Sequence, residues 1–314
     1  MVSSIANLVR RATPHRLALI APQQSVSLTY GELDARARSL ARGLSDVGFS
    51  AGSVAVADIP NTAENLVLQL ALSNLGASVA TVKDVAALDK LKETHDVRGA
   101  ILADASSKLA EAAADLRVPP VVLDEDGIPG TPALLWSVLA DREPLEDAAV
   151  ASGDSLLGIY GGAALSHDAA IKLGEAAADR LQIDSSDRVC VSVTLFHAFG
   201  IGTAATSALC REAAVVLPAV GGIRGCGDPK QRSSVTLDVM RSERATIVFA
   251  DSHTLRALPV DAPDDLMLRG GVCKIGSGSD FLEDVTSVPP PPSGGEERSL
   301  RYGSATLVAM GKAK

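Results

Sequence analysis

Two spacings of apolar residues alternate along the first part of the chain, one typical of strands and the other of helices. Short apolar runs at residues 17–20, 54–57 and 77–82 predict buried β-strands. A helix-spaced apolar stripe lies between the first two runs, and Thr29 with Glu32 forms a capping box at its start. The stripe consists of Leu33, Ala37, Leu40, Ala41 and Leu44.

Further elements continue this alternation. Residues 26–30 alternate apolar and polar side chains after a turn, which predicts a hairpin partner for the first strand. A second helix is predicted over 61–75, and short helix and strand patterns continue to residue 123. In the second half the predicted helices and strands cover 169–180, 188–193, 201–209, 213–217, 235–243 and 246–250. The whole pattern predicts an α/β fold of two doubly wound subdomains, with helices on both faces of parallel sheets.

The stretch 124–154 is rich in proline, glycine and acidic residues, and it predicts a junction between the two subdomains. The first predicted subdomain covers residues 1–150, and the second covers 151–314. Two other stretches, 221–232 and 288–297, are predicted to be exposed loops. The latter contains four consecutive prolines, which are typical of a polyproline spacer.

Composition narrows the class of protein. Hydrophobic residues make up 46% of the chain and charged residues 21%, which is sufficient for a buried core. The formal net charge of −9 argues against nucleic acid as a partner, because phosphate binding favours a basic surface. No apolar stretch is long enough for a transmembrane segment. No metal site is predicted, because no two cysteines have Cys-x-x-Cys spacing; they are Cys190, Cys210, Cys226 and Cys273.

The first sixteen residues are basic, and no acidic residue precedes Glu32. This composition is typical of a mitochondrial presequence, but it also fits a first helix of the fold with Ile5, Leu8 and Val9 facing inward. We favour the helix. We expect mitochondrial residence, with the cytoplasm as the alternative. The last residues, 311–314, are not a peroxisomal tripeptide.

Several short motifs occur in an order that resembles the acyl-CoA synthetases, also called the AMP-binding superfamily. In the first half these motifs lie at 28–33 (Leu-Thr-Tyr-Gly-Glu-Leu), 48–55, 60–61 (Pro-Asn) and 76–77 (Gly-Ala). In the second half they lie at 165–167 (Leu-Ser-His), 186–189 (Ser-Asp-Arg-Val) and 195–200 (Leu-Phe-His-Ala-Phe-Gly). The resemblance covers roughly residues 5–280. It implies the two α/β subdomains of the family's N-terminal domain.

Members of this family activate a carboxylate with ATP and usually transfer the acyl group to coenzyme A. Their phosphate-binding loop is rich in serine, threonine and glycine, and it ends in Pro-Lys-Gly. Here Tyr160 matches the aromatic residue before that loop, and the loop shrinks to Gly161, Gly162, Ala163 and Ala164. None of the four carries a hydroxyl, an amine or a charge. A Gly-Gly pair could still turn toward a phosphate, but we favour a tight turn between a strand and a helix.

His197, Phe199 and Gly200 match the family segment that lines the acyl pocket and approaches the nucleotide. Two interpretations of His197 stay open. It either positions a substrate, or it caps the end of a buried strand with a hydrogen bond. Gly276 and Gly278 lie where the family has a turn of small residues near the adenine.

Tyr302 opens a partial match to the family's Tyr-Gly-x-Thr-Glu motif, whose glutamate helps to hold magnesium. The match has one residue too many before Thr306, and Leu307 stands where the acid should follow. This departure argues against a magnesium site.

The sequence ends before the family's ribose-binding aspartate and its mobile C-terminal domain, which carries the lysine that promotes adenylation. We therefore expect the C-terminal domain to be absent. One preorganised donor to a developing anion is worth on the order of 10²–10³ in rate. Four contributors are altered or missing here: the loop, the loop lysine, the magnesium acid and the domain lysine. We expect no catalytic residues.

The expected function is therefore that of a catalytically inactive acyl-CoA synthetase-like protein without cofactors, serving as an accessory subunit among other protein subunits. The alternatives are a residual acyl, acyl-CoA or nucleotide binder, or a weak ATP-dependent carboxylate–CoA ligase that would use ATP or AMP, CoA and Mg²⁺. The candidate ligand-binding residues are Tyr160, Gly161, Gly162, His197, Phe199, Gly200, Gly276, Gly278 and Tyr302.

Overall fold

The chain folds into two compact units, each with its own sheet. The computed structural model describes residues 4–146, 151–218, 228–259, 261–274, 299–302 and 304–310. The first unit comprises Met1–Pro14, Tyr30–Pro60 and Glu64–Asp168. The second unit comprises His15–Thr29, Asn61–Ala63 and Ala169–Lys314. This division differs from the predicted sequential one into 1–150 and 151–314, because each unit takes a hairpin from across that boundary.

The sheet of the first unit is parallel except at one edge. In spatial order its strands are β7 (Leu134–Leu135), β6 (Val121–Val122), β5 (Asp96–Leu102), β3 (Ser53–Asp58), β4 (Ser78–Thr81), β8 (Leu156–Tyr160) and β9 (Ala163–Ser166). The neighbours run parallel apart from β8 and β9, which form an antiparallel hairpin. The predicted α/β class is confirmed, but the sheet is mixed rather than wholly parallel.

The apolar stripe of the long helix α2 (Tyr30–Asp46) is buried as predicted. Its stripe residues are each at most 1% exposed; they are Leu33, Ala37, Leu40, Ala41 and Leu44. The next helices along the chain are α3 (Ala63–Leu75), α4 (Val85–Thr94), α5 (Ala110–Ala113) and α6 (Trp136–Ala140).

The predicted first helix is present as α1 (Ile5–Arg11). The Ser4 hydroxyl caps it by accepting a hydrogen bond from the Asn7 N–H at 3.3 Å. Ile5 and Val9 are buried as predicted, whereas Leu8 is only half-buried. This segment therefore contributes apolar side chains to the core of the first unit.

The interval 124–154, predicted as a junction, contains packed elements of the first unit. β7 lies at the edge of the sheet, and α6 packs against α2. The helices approach so closely that a Cβ added at Gly43 would collide with the Leu139 carbonyl. Gly43 leaves room for the α6 backbone and allows this close packing on α2. Since part of the interval packs on the first unit in this way, the interval is not a simple linker.

The sheet of the second unit is also mixed. In spatial order its described strands are β14 (Ser299–Tyr302), β15 (Ala305–Met310), β13 (Gly270–Lys274), β12 (Ile247–Asp251), β10 (Arg188–Ser192), β11 (Ala214–Val216), β1 (Leu17–Ala21) and β2 (Val26–Thr29). The predicted hairpin near the start of the chain is confirmed as β1 and β2, and β1 pairs parallel with β11. β14 and β15 form a second antiparallel pair.

The described helices of the second half are α7 (His167–Leu181), a π-helix (Ala198–Ala205), α8 (Thr206–Cys210), α9 (Pro229–Ser242) and α10 (Ser252–Arg256). α9 begins inside the predicted loop 221–232 and before the predicted helix start at 235. The signal missed in the sequence is the Asp228-Pro229 pair at the start of α9. The Asp228 carboxylate accepts the Gln231 N–H at 2.9 Å, and Pro229 has no N–H that needs an acceptor. Residues 221–227 and the predicted loop 288–297 lie outside the described residues.

Within the described parts of the chain, no helix combines the length and apolar composition that a membrane span requires.

The buried carboxylate of Asp187 connects the starts of three strands in the second unit. The Asp187 side chain is 4% exposed and accepts hydrogen bonds from Arg269 at 2.6 and 3.0 Å, from the Thr246 hydroxyl at 2.7 Å and from the Asp184 N–H at 2.9 Å. Burial alone would raise the pKa of Asp187, but these hydrogen bonds outweigh it and hold the pKa below its usual value. Asp187, Thr246 and Arg269 immediately precede β10, β12 and β13, so the network fixes the start of each strand.

Removal of Arg269 tests this network. Because Arg269→Met would leave a desolvated carboxylate without its cation, we expect it to lower the free energy of unfolding by about 2–3 kcal/mol. Asp187→Asn combined with Arg269→Met should recover part of that loss, since the charge is then removed too. Urea unfolding measures both. Arg211→Met, which breaks an exposed pair with Asp179, is the control and should cost under about 1 kcal/mol. Equal losses in the two single variants would contradict the role of the network.

His167, at the start of α7, is fully buried, and neither of its ring nitrogens has a hydrogen-bond partner among the described residues. Burial lowers the pKa of His167 from 6.5 to about 4. The ring is therefore neutral at pH 7, whereas in the unfolded chain it binds a proton near its ordinary pKa.

This difference predicts a pH dependence of stability. Between its unfolded pKa and its folded pKa, the unfolded chain binds a proton that the folded chain does not, so stability falls as the pH falls through this window. We expect His167 to account for a loss of about 2 kcal/mol between roughly pH 7.5 and pH 5. In urea unfolding, His167→Leu should reduce the pH dependence of stability by about this amount, while His197, whose pKa is similarly lowered, maintains the remainder. The exposed control His15→Gln should leave the pH dependence unchanged. An unchanged slope in His167→Leu would refute the assignment.

Candidate functional site

Gly161 and Gly162 form the tip of the β8–β9 hairpin in the first unit. Tyr160 pairs directly with Ala163, so only these two glycines make the turn. Their φ angles are 59° and 88°, respectively, which match a type I′ turn with both central residues in the left-handed region. Glycine adopts that region without strain. A tight turn is therefore present, but it joins two strands and not a strand to a helix.

The turn offers backbone donors only. Both glycines are exposed, and the residue on its far side, Ala163, contributes a methyl group. The N–H groups of Gly161 and Gly162 donate to no acceptor within the described residues. A ligand at this turn would therefore meet amide N–H groups and no hydroxyl or amine from the turn itself.

Tyr160 belongs to a buried chain of hydrogen bonds in the first unit. It is 6% exposed, and its hydroxyl donates to Gln69 Oε1 at 2.6 Å. Gln69 donates to Asn65 Oδ1 at 2.9 Å, and the Asn65 amide donates to the Pro60 carbonyl at 3.2 Å. Burial raises the pKa of Tyr160. The phenol is thus neutral, and its donor is already used inside the unit.

His197 caps the π-helix of the second unit. Its Nδ1 accepts a hydrogen bond from the Phe199 N–H at 3.0 Å, and its Nε2 lies 3.1 Å from Lys274 Nζ. The ring is half-buried; burial first, and the charge of Lys274 second, lower the pKa of His197 from 6.5 to about 4. Both ring nitrogens therefore contact protein groups. The capping bond is made at the start of a helix, not at the strand end considered from the sequence.

Phe199 and Gly200 lie in the core of the second unit. Phe199 is fully buried, and its ring centroid is 5.8 Å from that of Phe249. A Cβ added at Gly200 would collide with the Thr194 carbonyl. The backbone of this segment therefore requires glycine at 200, and the Phe199 ring packs against protein.

Asn61 holds the backbone that leads to His197, and the sequence reasoning did not name it as a site residue. Its side-chain N–H donates to the Val193 carbonyl at 3.2 Å, and its Oδ1 accepts the Leu195 N–H at 2.8 Å. An amide side chain provides a donor and an acceptor together. Its position shortly after the predicted strand 54–57 was the available signal, since open α/β sheets bind ligands beyond the carboxyl ends of their strands.

Lys274 was also missed, and its contact with His197 spans 77 positions of sequence. No periodicity or motif indicates a pairing of that kind. The second unit therefore brings His197 and Lys274 together, and Asn61 holds the backbone shortly before His197. In the first unit, Tyr160 directly precedes the two glycines of the turn.

Tyr302 lies on β14 and is 9% exposed, with its hydroxyl buried and without a hydrogen-bond partner among the described residues. Burial raises its pKa. Leu307, on β15, is 1% exposed and packs in the same apolar cluster. Gly276 and Gly278 lie outside the described residues. In the described ranges, no group of three or more His, Cys, Asp or Glu side chains is placed to hold a metal ion.

Comparison with known sequences gives a family match over most of the chain. A family profile described as "AMP-binding enzyme" matches residues 8–267. The chain is 24% identical over 217 residues to peroxisomal OPC-8:0-CoA ligase 1 of Arabidopsis thaliana, covering 64% of this chain and 40% of that protein. It is 29% identical over 117 residues to 4-coumarate–CoA ligase-like 1 of Arabidopsis thaliana, covering 37% of this chain and 21% of that protein. The chain thus spans less than half of either relative.

Solved structures of CoA ligases have a similar fold. The anthranilate CoA ligase AuaEII in complex with anthranoyl-AMP matches with a TM-score of 0.73 at 17% identity, covering 91% of this chain and 57% of that chain. A benzoate CoA ligase from Burkholderia xenovorans LB400 matches with a TM-score of 0.71 at 19% identity, covering 87% of this chain and 56% of that chain. At these identities the comparison supports the fold alone.

The type I′ turn predicts unequal losses of stability for two neighbouring substitutions. Gly161→Asn should leave the free energy of unfolding within about 0.5 kcal/mol, because Asn-Gly is favoured in this turn. Gly162→Val should cost about 1–2 kcal/mol, since a β-branched residue is strained in the left-handed region. Urea unfolding of the two variants measures this difference. A loss in Gly161→Asn as large as that in Gly162→Val would contradict the turn type.

Proposed function

The chain belongs to the AMP-binding enzyme family, and we propose that it is a member that no longer forms acyl-adenylates. In this proposal it acts as an accessory subunit of a larger protein assembly and uses no ATP, CoA or Mg²⁺ as a cofactor. The observation that carries the proposal is the two-residue turn at Gly161 and Gly162, which stands where the resemblance places the family's phosphate-binding loop.

The length of this turn limits the chemistry available at it. Since Tyr160 and Ala163 are directly paired, the turn contains only Gly161 and Gly162, and neither carries a side-chain hydroxyl or amine. Pyrophosphate is a strongly charged leaving group, and each preorganised donor lost to such a charge costs on the order of 10²–10³ in rate. The backbone N–H groups that remain are neutral dipoles and do not replace a lysine.

The other candidate groups fit ATP and magnesium poorly. The Tyr160 hydroxyl is engaged by Gln69, and Nδ1 of His197 is engaged by the backbone. Leu307, where the resemblance implies a magnesium-binding acid, is an apolar core residue, and Mg²⁺ takes oxygen ligands. We therefore assign no catalytic step to these residues.

The accessory role rests on the retained body of the fold. The two sheets keep buried cores although the loop chemistry is lost, since fold and function are separable. As part of the same proposal we expect mitochondrial residence, because the first sixteen residues are basic.

A second candidate function is ligand binding without catalysis. The half-buried His197 ring and the half-buried Lys274 amine, with 3.1 Å between Nε2 and Nζ, support it. A polar pair of this kind could hold an anionic part of an acyl compound or a nucleotide. Thermal unfolding with ATP or an acyl-CoA at increasing concentration tests it, because a ligand that binds only the folded state raises the midpoint.

ATP–pyrophosphate exchange tests the loss of adenylation. We expect the full chain, offered a panel of aromatic and aliphatic carboxylates, to exchange no more label than an enzyme-free blank. A benzoate CoA ligase assayed alongside provides the positive control. Exchange above the blank that disappears in His197→Ala would overturn the proposal.

Native mass tests the accessory role. Protein isolated from its own source should elute above the mass of a single chain together with a stable partner, and it should keep that partner through a second separation step. Elution as a lone chain at physiological salt would count against the subunit assignment.

A further inference from the structure

The segment that follows His197 is a π-helix over eight residues, Ala198–Ala205. A π-helix joins an N–H to the carbonyl five residues back, whereas an α-helix joins it to the carbonyl four residues back. Regular π segments are rare, so this one requires a local cause. Thr206, the residue at its C-terminal end, provides that cause.

The backbone and the side chain of Thr206 both bind the Ile201 carbonyl. The Thr206 N–H donates to the carbonyls of Ile201 and Thr203, and the Thr206 hydroxyl donates to the Ile201 carbonyl at 2.7 Å. A serine or threonine hydroxyl in a helix ordinarily reaches three or four residues back. Ser207 does so when it donates to the Ala204 carbonyl at 2.8 Å. The Thr206 hydroxyl reaches five residues back, so its bond matches the π spacing and not the α spacing.

The packing around Thr206 restricts the orientation of its side chain. Thr206 is fully buried, and α7 passes close to it. A Cβ added at Gly174 would lie 2.7 Å from Thr206 Cγ2 and 2.8 Å from the Thr206 carbonyl carbon. Gly174 therefore leaves room for the Thr206 methyl group at this close approach. Because α7 restricts rotation of the side chain, the hydroxyl stays on the Ile201 carbonyl.

Ile201 connects Thr206 to His197. The Ile201 N–H donates to the His197 carbonyl at 3.0 Å, and the Phe199 N–H donates to His197 Nδ1 at 3.0 Å. The backbone and the ring of His197 are therefore both bound to the first turn of the π-helix. A return to α spacing would place fewer residues in each turn and rotate this first turn relative to α8. The ring would then move from its position 3.1 Å from Lys274 Nζ.

We propose that Thr206 is a positioning residue whose hydroxyl holds the π spacing and thereby keeps the His197 ring beside Lys274. This role needs no ligand and no chemical step. It therefore holds whether or not the chain forms acyl-adenylates and whether or not the His197–Lys274 pair binds an anion, and the free chain is sufficient to test it.

NMR titration of the His197 ring in the full chain tests this role. Burial first, and the charge of Lys274 second, lower the pKa of His197 from 6.5 to about 4. In Thr206→Val the pKa should rise toward its ordinary value, because the ring leaves this environment. At a pH between these two values, the ring should be neutral in the unmodified chain and partly protonated in Thr206→Val. Thr206→Ser keeps the hydroxyl and should keep the ring neutral.

Thr203→Val is the matched control. Thr203 lies in the same π-helix and is fully buried, and its hydroxyl has no hydrogen-bond partner among the described residues. This variant should leave the His197 ring neutral at the same pH. A neutral ring in Thr206→Val, or equal protonation in Thr206→Val and Thr203→Val, would overturn the proposal. If Thr206→Val does not fold, Thr206→Ser decides: a neutral ring supports the role of the hydroxyl, and a protonated ring refutes it.

Discussion

The Asp187 carboxylate is the interaction on which the geometry of the second unit depends. Its partners Thr246 and Arg269 stand, like Asp187 itself, directly before parallel strands, so one anion fixes three strands at the same end of the sheet. β10 leads to His197, and Lys274 ends β13. The 3.1 Å approach of those two side chains thus follows from a register that is set at the opposite end of the strands.

The sequence was sufficient for the elements whose burial is periodic. The α2 stripe, the β1–β2 hairpin and the first helix all follow from the spacing of apolar side chains. The errors fall where a local signal competes with that spacing. Gly161 and Gly162 were predicted to form a turn between a strand and a helix, but they form the turn of a β-hairpin. The Asp-Pro start of α9 lay in a stretch whose polar composition indicated a loop.

The site residues were harder to predict than the fold, because their contacts join distant positions. Tyr160 was singled out for its place before the loop, yet its hydroxyl is held by Gln69, 91 positions away. Asn61 clamps a backbone segment more than 130 positions along the chain. Neither contact can be predicted from the composition or the periodicity of the sequence. Only the folded structure shows that the Tyr160 and Asn61 side chains make hydrogen bonds within the fold.

Gly200 has a consequence for how such proteins are compared. Any larger residue at position 200 would collide with the Thr194 carbonyl. The nearby backbone is therefore sufficient to exclude substitution of Gly200. The buried Phe199 ring, stacked at a tilt on Phe249, is held in the same way by its surroundings. Folding alone is therefore sufficient to explain Phe199 and Gly200, and their presence in a chain is no evidence of turnover.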